Sequence, residues 1–137
     1  MSLTSTNQLQ VMLEKRDQIL ADGATATNLF NMGLSSGDAP ELWNKTAPEK
    51  IKALYKGSVD AGSDLFLTNS FGGNRSRLRL HGAETYAPEL SRISAEIGRE
   101  VADASGRNVI VAGCLGPTGE IMQPMGPLSY AVAVEIF

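Results

Sequence analysis

Three short apolar runs, separated by longer amphipathic stretches, limit the folds that this chain can adopt. The runs are residues 18–22, 64–68 and 108–113, each too short for a helix and each followed by a glycine-containing corner. Strands that alternate with crossover helices pair in parallel. The order β-α-β-α-β-α therefore predicts an α/β fold with a parallel sheet.

Apolar residues at intervals of three and four mark the segments between the strands as helices. Thr46 and Glu49 have the spacing of a capping box, and Gly106 and Ser129 are predicted to end one helix and cap another. Residues 24–27 are predicted as a turn, followed by a loop to about Lys45. The predicted helices are residues 7–16 (with Thr4, Ser5 or Thr6 as cap), 48–61, a short piece at 75–80, a stripe from Leu90 to Gly106, and a last helix that begins at Ala131 and is incomplete at Phe137.

Composition excludes several classes of function. The 137 residues carry a net charge of −3 without a block of like charges, so neither nucleic acid nor an anionic membrane surface is expected as a partner. No apolar run approaches the roughly 20 residues that span a bilayer, and residues 1–10 lack the apolar centre of a signal peptide. We expect a cytoplasmic protein. A single cysteine, Cys114, excludes an internal disulfide and any site built from two thiolates of this chain.

Ligands of parallel α/β proteins bind at the carboxyl ends of the strands, so the three corners are interpreted together. Their glycines allow close backbone approach to a ligand. Asp22 either holds an ammonium group, with the amides of Gly23, Ala24 and Thr25 meeting a carboxylate, or satisfies backbone N–H groups of its own turn.

Other residues near these corners have two interpretations each. Asn69 and Phe71 either reach the ligand as donor and apolar wall or serve the turn and the core. Trp43 either covers a site and faces a cationic methyl group or pins its own loop. His81 is interpreted as a surface or C-cap residue, and Cys114 as a buried inert thiol or a reactive one. The glycines at 113, 116 and 119 match neither a dinucleotide fingerprint nor a P-loop.

Three motifs in order carry a family resemblance. LADGATAT (residues 20–27), AGSD (61–64) leading to LTNSFG (67–72), and VAGCLGPTGE (111–120) resemble the homocysteine S-methyltransferase family, which includes betaine–homocysteine methyltransferase and the first module of cobalamin-dependent methionine synthase. The resemblance covers about residues 18–120.

The resemblance implies a zinc-dependent (β/α)₈ barrel that moves a methyl group onto the sulfur of homocysteine. A complete barrel takes about 250 residues, so residues 1–137 would be its N-terminal part: three β/α units, the third helix incomplete, in one incomplete domain. The implied substrate-binding residues are Asp22, Gly23, Ala24, Thr25, Asn69, Phe71 and, less directly, Trp43, which falls where betaine-using members carry an aromatic residue.

The implied zinc has no ligands in this sequence. The family's metal thiolates lie in Gly-x-Asn-Cys and Gly-Gly-Cys-Cys segments, neither of which occurs here, and Cys114 matches neither. We therefore expect this chain alone to be catalytically silent. The methyl donor stays open, and an onium compound such as betaine is favoured. Transfer of its methyl group to homocysteine would give methionine.

Open sheet edges predict a homo-oligomer or a partner that covers them. The alternative function, from a different class, is a small α/β ligand-binding or assembly module without catalysis.

Overall fold

A computed structural model of the protein describes residues 7–137, so the predicted caps at Thr4, Ser5 and Thr6 lie outside the described residues. Its sheet is small and parallel. Strand β1 (Leu65–Leu67) pairs in parallel with β2 (Ile110–Ala112), and Leu65 also forms an isolated parallel bridge with Ala21. The α/β class and the parallel sheet are confirmed, with β1 in the middle.

The predicted first strand is wrong in extent, because residues 18–22 contribute only the Ala21 bridge. Leu20 O accepts from the backbone N–H groups of Asp64 and Leu65, and the Asp22 N–H donates to Leu65 O at 3.0 Å. The backbone direction is that of a parallel strand. Leu20 is 53% exposed, so the run is not the buried strand that its apolar residues indicated.

The predicted helices are present with shifted ends. Asn7 caps the first by accepting from the Gln10 N–H at 3.3 Å, Gly106 follows the long one with a φ of +66°, and Ser129 caps the last. The helices are α1 (Gln8–Lys15), α2 (Thr25–Asn31), α3 (Trp43–Thr46), α4 (Pro48–Asp60), α5 (Arg75–Leu78), α6 (Ala87–Ala104) and α7 (Tyr130–Ile136), with 3₁₀ turns at Pro40–Leu42, Arg79–His81 and Glu84–Tyr86.

Two predictions about residues 24–49 are wrong. The predicted turn and loop hold α2, a 3₁₀ turn and α3, whose small and polar residues gave no long apolar stripe. Thr46 does not cap α4, because its hydroxyl donates back to Leu42 O at 3.0 Å within α3 and α4 begins without a side-chain cap.

The core lies where α4 and α6 cover one face of the sheet. Phe66 is fully buried, and its ring stacks on that of Tyr55 with 4.8 Å between centroids. Gly98 permits α6 to approach the sheet, since a Cβ there would lie 2.8 Å from Val111 Cγ1. The main cluster of buried residues comprises Leu29, Leu34, Ile51, Leu54, Tyr55, Val59, Phe66, Ile97, Val101, Ala102 and Val109.

Asp64 joins three segments at the amino end of the sheet. Its carboxylate accepts from Arg16 Nη1 at 2.7 Å, from the Leu20 N–H at 3.1 Å and from Arg107 Nη2 at 3.4 Å. The Leu20 N–H and then the Arg16 guanidinium hold the pKa of this carboxyl below its usual value. This end of the sheet is therefore held by charge-assisted hydrogen bonds.

Candidate functional site

A cleft of about 560 Å³ opens at the carboxyl ends of the strands, where the sequence predicted a shared rim. It is lined by the first turn of α2, by residues 37–41, by the corner after β1, by α5 with its 3₁₀ extension, and by Cys114 after β2. All three glycine corners therefore lie at one edge of the sheet.

Hydrogen bonds fasten the second and third corners together. Cys114 N–H donates to Thr68 Oγ1 at 3.1 Å, and Ser70 Oγ donates to Cys114 O at 2.8 Å. A Cβ on Gly116 would lie 2.3 Å from Phe71 O, so only glycine allows the third corner to pack this closely. The floor of the cleft is thus fixed by backbone and hydroxyl contacts.

Asp22 stands beside the cleft and is attached to the end of β1. One carboxylate oxygen, Oδ2, accepts from the Leu67 N–H at 3.0 Å, and the other receives no hydrogen bond from residues 7–137. The carboxylate therefore bonds to β1 and not to its own turn, and its predicted contact with an ammonium group stays a prediction. Thr25, three residues on, lines the cleft directly.

The amides after Asp22 are also open to a ligand. A Cβ on Gly23 would meet nothing within 4 Å, and Gly23 and Ala24 are exposed. Ala24 precedes α2 without a side-chain cap. A small anion can therefore approach the backbone here.

Asn69 is buried and mostly engaged. Its Nδ2 donates to Pro40 O and to Asn44 Oδ1, both at 2.9 Å, and its N–H donates to the Tyr55 hydroxyl at 2.6 Å. Both hydrogens of the side-chain amide are thus used within the protein. Asn69 lines the cleft, and a ligand could reach only its amide oxygen without breaking these bonds.

Phe71 and Trp43, the two predicted aromatic contacts, are placed differently. Phe71 is 54% exposed and lines the cleft. Trp43 begins α3, packs against the main core cluster and carries Lys50 Nζ 4.2 Å above its ring. It is not among the residues that line the cleft, and its contacts are those of a residue that pins its own segment.

Glu41 is the main cleft residue that the sequence did not indicate. It is 4% exposed, and its Oε1 accepts from the Gly72 N–H at 2.6 Å. It lies in the segment interpreted as loop, where a carboxylate carries no periodic signal. The one available clue was Pro40 directly before it, a pair typical of a first helical turn.

Two basic residues also line the cleft. Arg77 belongs to α5, and His81 is exposed at the end of the following 3₁₀ turn, before Gly82 with its φ of +63°. The surface and C-cap interpretation of His81 agrees with this position, and the cleft contact adds to it.

Cys114 lines the cleft and is half-buried, so the prediction of a buried thiol is wrong in degree. Burial, and then the Asp22 and Glu41 carboxylates, raise its pKa, so less thiolate is present near neutral pH. Burial likewise raises the pKa of Tyr55. Both groups serve as hydrogen-bonding or packing elements of the floor.

The implied metal does not fit the residues present. Within residues 7–137 no three His, Cys, Asp or Glu side chains come close enough to hold a metal ion.

In the same part of the chain, no helix has both the length and the apolarity to cross a bilayer.

Comparison with known proteins gives consistent matches. The sequence model of the family described as homocysteine S-methyltransferase matches residues 19–137. Methionine synthase of Mycobacterium tuberculosis is 31% identical over 98% of this chain and 12% of its own length. Homocysteine S-methyltransferase of Escherichia coli is 28% identical over 85% of this chain and 41% of its own length.

Solved structures agree with the sequence matches. The oxidized form of the homocysteine methyltransferase MmuM from Escherichia coli superposes with a TM-score of 0.70, at 28% identity, over 83% of this chain and 42% of that one. The metallated form gives 0.70 at 29% identity, over 82% and 42%. The chain thus spans less than half the length of each of these relatives.

Proposed function

Because this chain belongs to the homocysteine S-methyltransferase family, we propose that it forms the homocysteine-binding part of an enzyme that moves a methyl group from an onium donor such as betaine to homocysteine, giving methionine. The observation that carries the proposal is the meeting of three glycine corners around one cleft, with the Asp22 carboxylate fixed beside it. Residues 1–137 would then be the first three β/α units of a larger barrel.

In this proposal the free oxygen of Asp22 accepts from the substrate ammonium group. The amides of the exposed Gly23 and Ala24 and of the half-buried Thr25 meet the substrate carboxylate, and Phe71 packs against its apolar chain. Holding the ammonium and the carboxylate, which are both attached to the α-carbon, would direct the side chain and its sulfur toward the donor. The new S–C bond forms as the C–N bond of the onium breaks, the thiol proton is lost, and a tertiary amine leaves.

The proposed reaction requires a zinc ion, and residues 7–137 do not supply its ligands. A zinc-bound thiol is deprotonated at neutral pH, which would make homocysteine a nucleophile. The ligands would have to come from outside residues 7–137, and we assign none of them here. The 137-residue chain alone is therefore expected to bind substrate weakly and to transfer no methyl group. We also propose the cytoplasm as its location, where thiols stay reduced.

Asp22→Asn provides the test in the complete natural protein that carries this chain. Losing a charge-assisted hydrogen bond worth about 1.5–3 kcal/mol should weaken homocysteine binding by about 10- to 150-fold in calorimetry. Asp17→Asn, an exposed aspartate outside the cleft, is the matched control.

Methionine formation from betaine and homocysteine tests the reaction itself. Wild-type protein that binds homocysteine yet transfers no methyl group from any onium donor would favour the non-catalytic module. Unchanged homocysteine affinity in Asp22→Asn would remove the assigned binding role.

A further inference from the structure

A buried polar network lies beneath the corner that follows β1. Its four side chains, Asn44, Tyr55, Asn69 and Ser94, are each exposed by 4% or less. The Asn69 N–H donates to the Tyr55 hydroxyl at 2.6 Å, which leaves the tyrosine hydrogen for Ser94 Oγ at 2.7 Å. The backbone of the corner is therefore fixed from below by α4 and α6.

Asn44 and Asn69 bond to each other in both directions. Asn44 Nδ2 donates to Asn69 O at 2.9 Å and to Leu90 O at 3.0 Å, and Asn44 Oδ1 accepts from Asn69 Nδ2 at 2.9 Å. The second hydrogen of Asn69 Nδ2 is donated to Pro40 O. All four side-chain amide hydrogens are thus used, and Asn44 connects α3, the corner and α6.

This pairing leaves one orientation for the Asn69 side-chain amide. If that amide were reversed, its Oδ1 would face Pro40 O and Asn44 Oδ1, which are both acceptors. Asn44 cannot reverse in response, because its own oxygen would then face Asn69 O and Leu90 O. Asn69 therefore presents an oxygen, and not an N–H, in the direction that remains.

The direction that remains is the cleft. Asn69 lines the cleft, and its Oδ1 accepts no hydrogen bond from residues 7–137. Among the same residues no fully enclosed side-chain oxygen or nitrogen lacks a partner, so this oxygen keeps access to the surface. An acceptor held in place without a partner is suited to a donor group of the ligand.

The ammonium group of homocysteine has the required donors. The proposed function gives one of its N–H groups to Asp22, and an ammonium has two more. Asp22 is held by the N–H of Leu67, two residues before Asn69, and both Leu67 and Asn69 line the cleft. The carboxylate and the amide oxygen thus belong to the same part of the cleft.

We propose that Asn44 is a positioning residue for substrate recognition: it holds the Asn69 side chain so that Oδ1 accepts from the ammonium group of homocysteine. This inference rests on the proposed function and adds a second acceptor beside Asp22. Asn44 itself lies below the corner, is 1% exposed and is not among the residues that line the cleft.

Homocysteine and 4-mercaptobutyrate, the same molecule without its amino group, test this inference in the complete natural protein. The readout is the preference for homocysteine, the ratio of the two dissociation constants in calorimetry. Asn69→Ala should lower the preference about tenfold or more, because a hydrogen bond to a charged group is lost. Asn44→Ala should lower it about threefold or more, because the amide is then free to turn. The double variant should lower it no further than Asn69→Ala alone.

Three further substitutions separate orientation from stability. Asn44→Asp keeps an acceptor for Asn69 Nδ2 but loses both donated hydrogen bonds, so it should lower the melting temperature and yet retain the preference. Tyr55→Phe removes the acceptor of the Asn69 backbone N–H and should weaken both ligands equally. Asn108→Ala alters an exposed asparagine just before β2 and should change neither affinity.

A preference that falls in step with the melting temperature, in Asn44→Asp and Tyr55→Phe as well, would reduce Asn44 to a structural role and overturn the inference. An unchanged preference in Asn44→Ala or Asn69→Ala would also overturn it. So would losses that add in the double variant.

Failure of the proposed function is recognised separately. It would appear as wild-type protein that makes no methionine, whatever the two affinities. A preference that falls in Asp22→Asn, but in neither asparagine variant, would remove only the role of Asn44 and Asn69.

Discussion

At the scale of single residues, two carboxylates at the cleft, Asp22 and Glu41, share one arrangement. In each, one oxygen accepts a backbone hydrogen bond and the other accepts none from residues 7–137. Asp22 accepts from the Leu67 N–H at the end of β1, and Glu41 accepts from the Gly72 N–H in the corner that follows. A backbone N–H fixes the direction of each carboxylate without neutralising it. The charge then stays available to a cationic ligand, and it acts on Cys114, which lies at the same edge.

Cys114 allows these carboxylates to be tested without any ligand. Because burial and the two carboxylates raise its pKa, we expect its alkylation by iodoacetamide at pH 8 to be slower than that of a free thiol. Glu41→Gln and Asp22→Asn should each speed the reaction, since each removes a negative charge, whereas Glu49→Gln should not. Mass spectrometry of the labelled chain gives the rates. A thiol as reactive as free cysteine would contradict this account.

At the scale of elements, the approach of α6 to the sheet depends on a missing side chain. A Cβ on Gly98 would lie 2.8 Å from Val111 Cγ1 and 3.3 Å from Phe66 Cε2. Val111 is β-branched and has little rotamer freedom to yield. We expect Gly98→Ala to lower the free energy of unfolding by about 1–3 kcal/mol through overpacking.

Gly57 in α4 is the matched control, because a Cβ there would meet nothing within 4 Å. Gly57→Ala should raise the free energy of unfolding by about 0.5–1 kcal/mol through helix propensity alone. Urea denaturation of both variants measures whether the free energy of unfolding falls in Gly98→Ala and rises in Gly57→Ala. A stabilised Gly98→Ala would show that the helix can move away without cost.

The Asp64 cluster makes stability depend on acid. The pKa of Asp64 is lowered from 3.8, so its ionised form is stabilised by folding. This contribution is fully present above about pH 4 and is lost as the pH falls below 3.8 through the lowered pKa. Asp64→Asn should therefore lower the urea midpoint at pH 7 and flatten its fall between pH 4 and pH 2.5. Asp60→Asn, in an exposed pair with Lys56, is the control and should keep the wild-type slope.

Sequence periodicity was sufficient to predict elements that bury a continuous apolar stripe, and it was insufficient to predict the other elements. The stripe from Leu90 to Val101 predicted α6, and most of it is buried. Ile19, Leu20 and Ala21 are apolar, yet Leu20 is 53% exposed, so composition overstated the strand. The position of Glu41 depends on the Gly72 N–H, 31 residues away, and such a contact leaves no local pattern. Cleft residues that come from distant segments therefore need coordinates.

At the scale of the whole molecule, the described residues leave a large apolar surface uncovered. Beyond β2 the chain exposes Leu115 by 77%, Met125 by 86% and Tyr130 by 77%. In residues 7–137, β2 has β1 as its one strand neighbour, so its other edge is open. If the chain is part of a barrel, as proposed, the remaining strands and helices would cover both surfaces.

The 137-residue chain alone should consequently self-associate, because open strand edges and exposed apolar groups are covered by pairing with another chain. We expect sedimentation velocity to show a mass that rises with concentration across the micromolar range. Val134→Lys, which places a charge on the exposed face of α7, should shift the chain toward monomer. Ala95→Lys, on the face of α6 that points away from the sheet and is exposed, should not. Equal behaviour of the two variants would place the association elsewhere, and a monomer at every concentration would show that these surfaces need no partner.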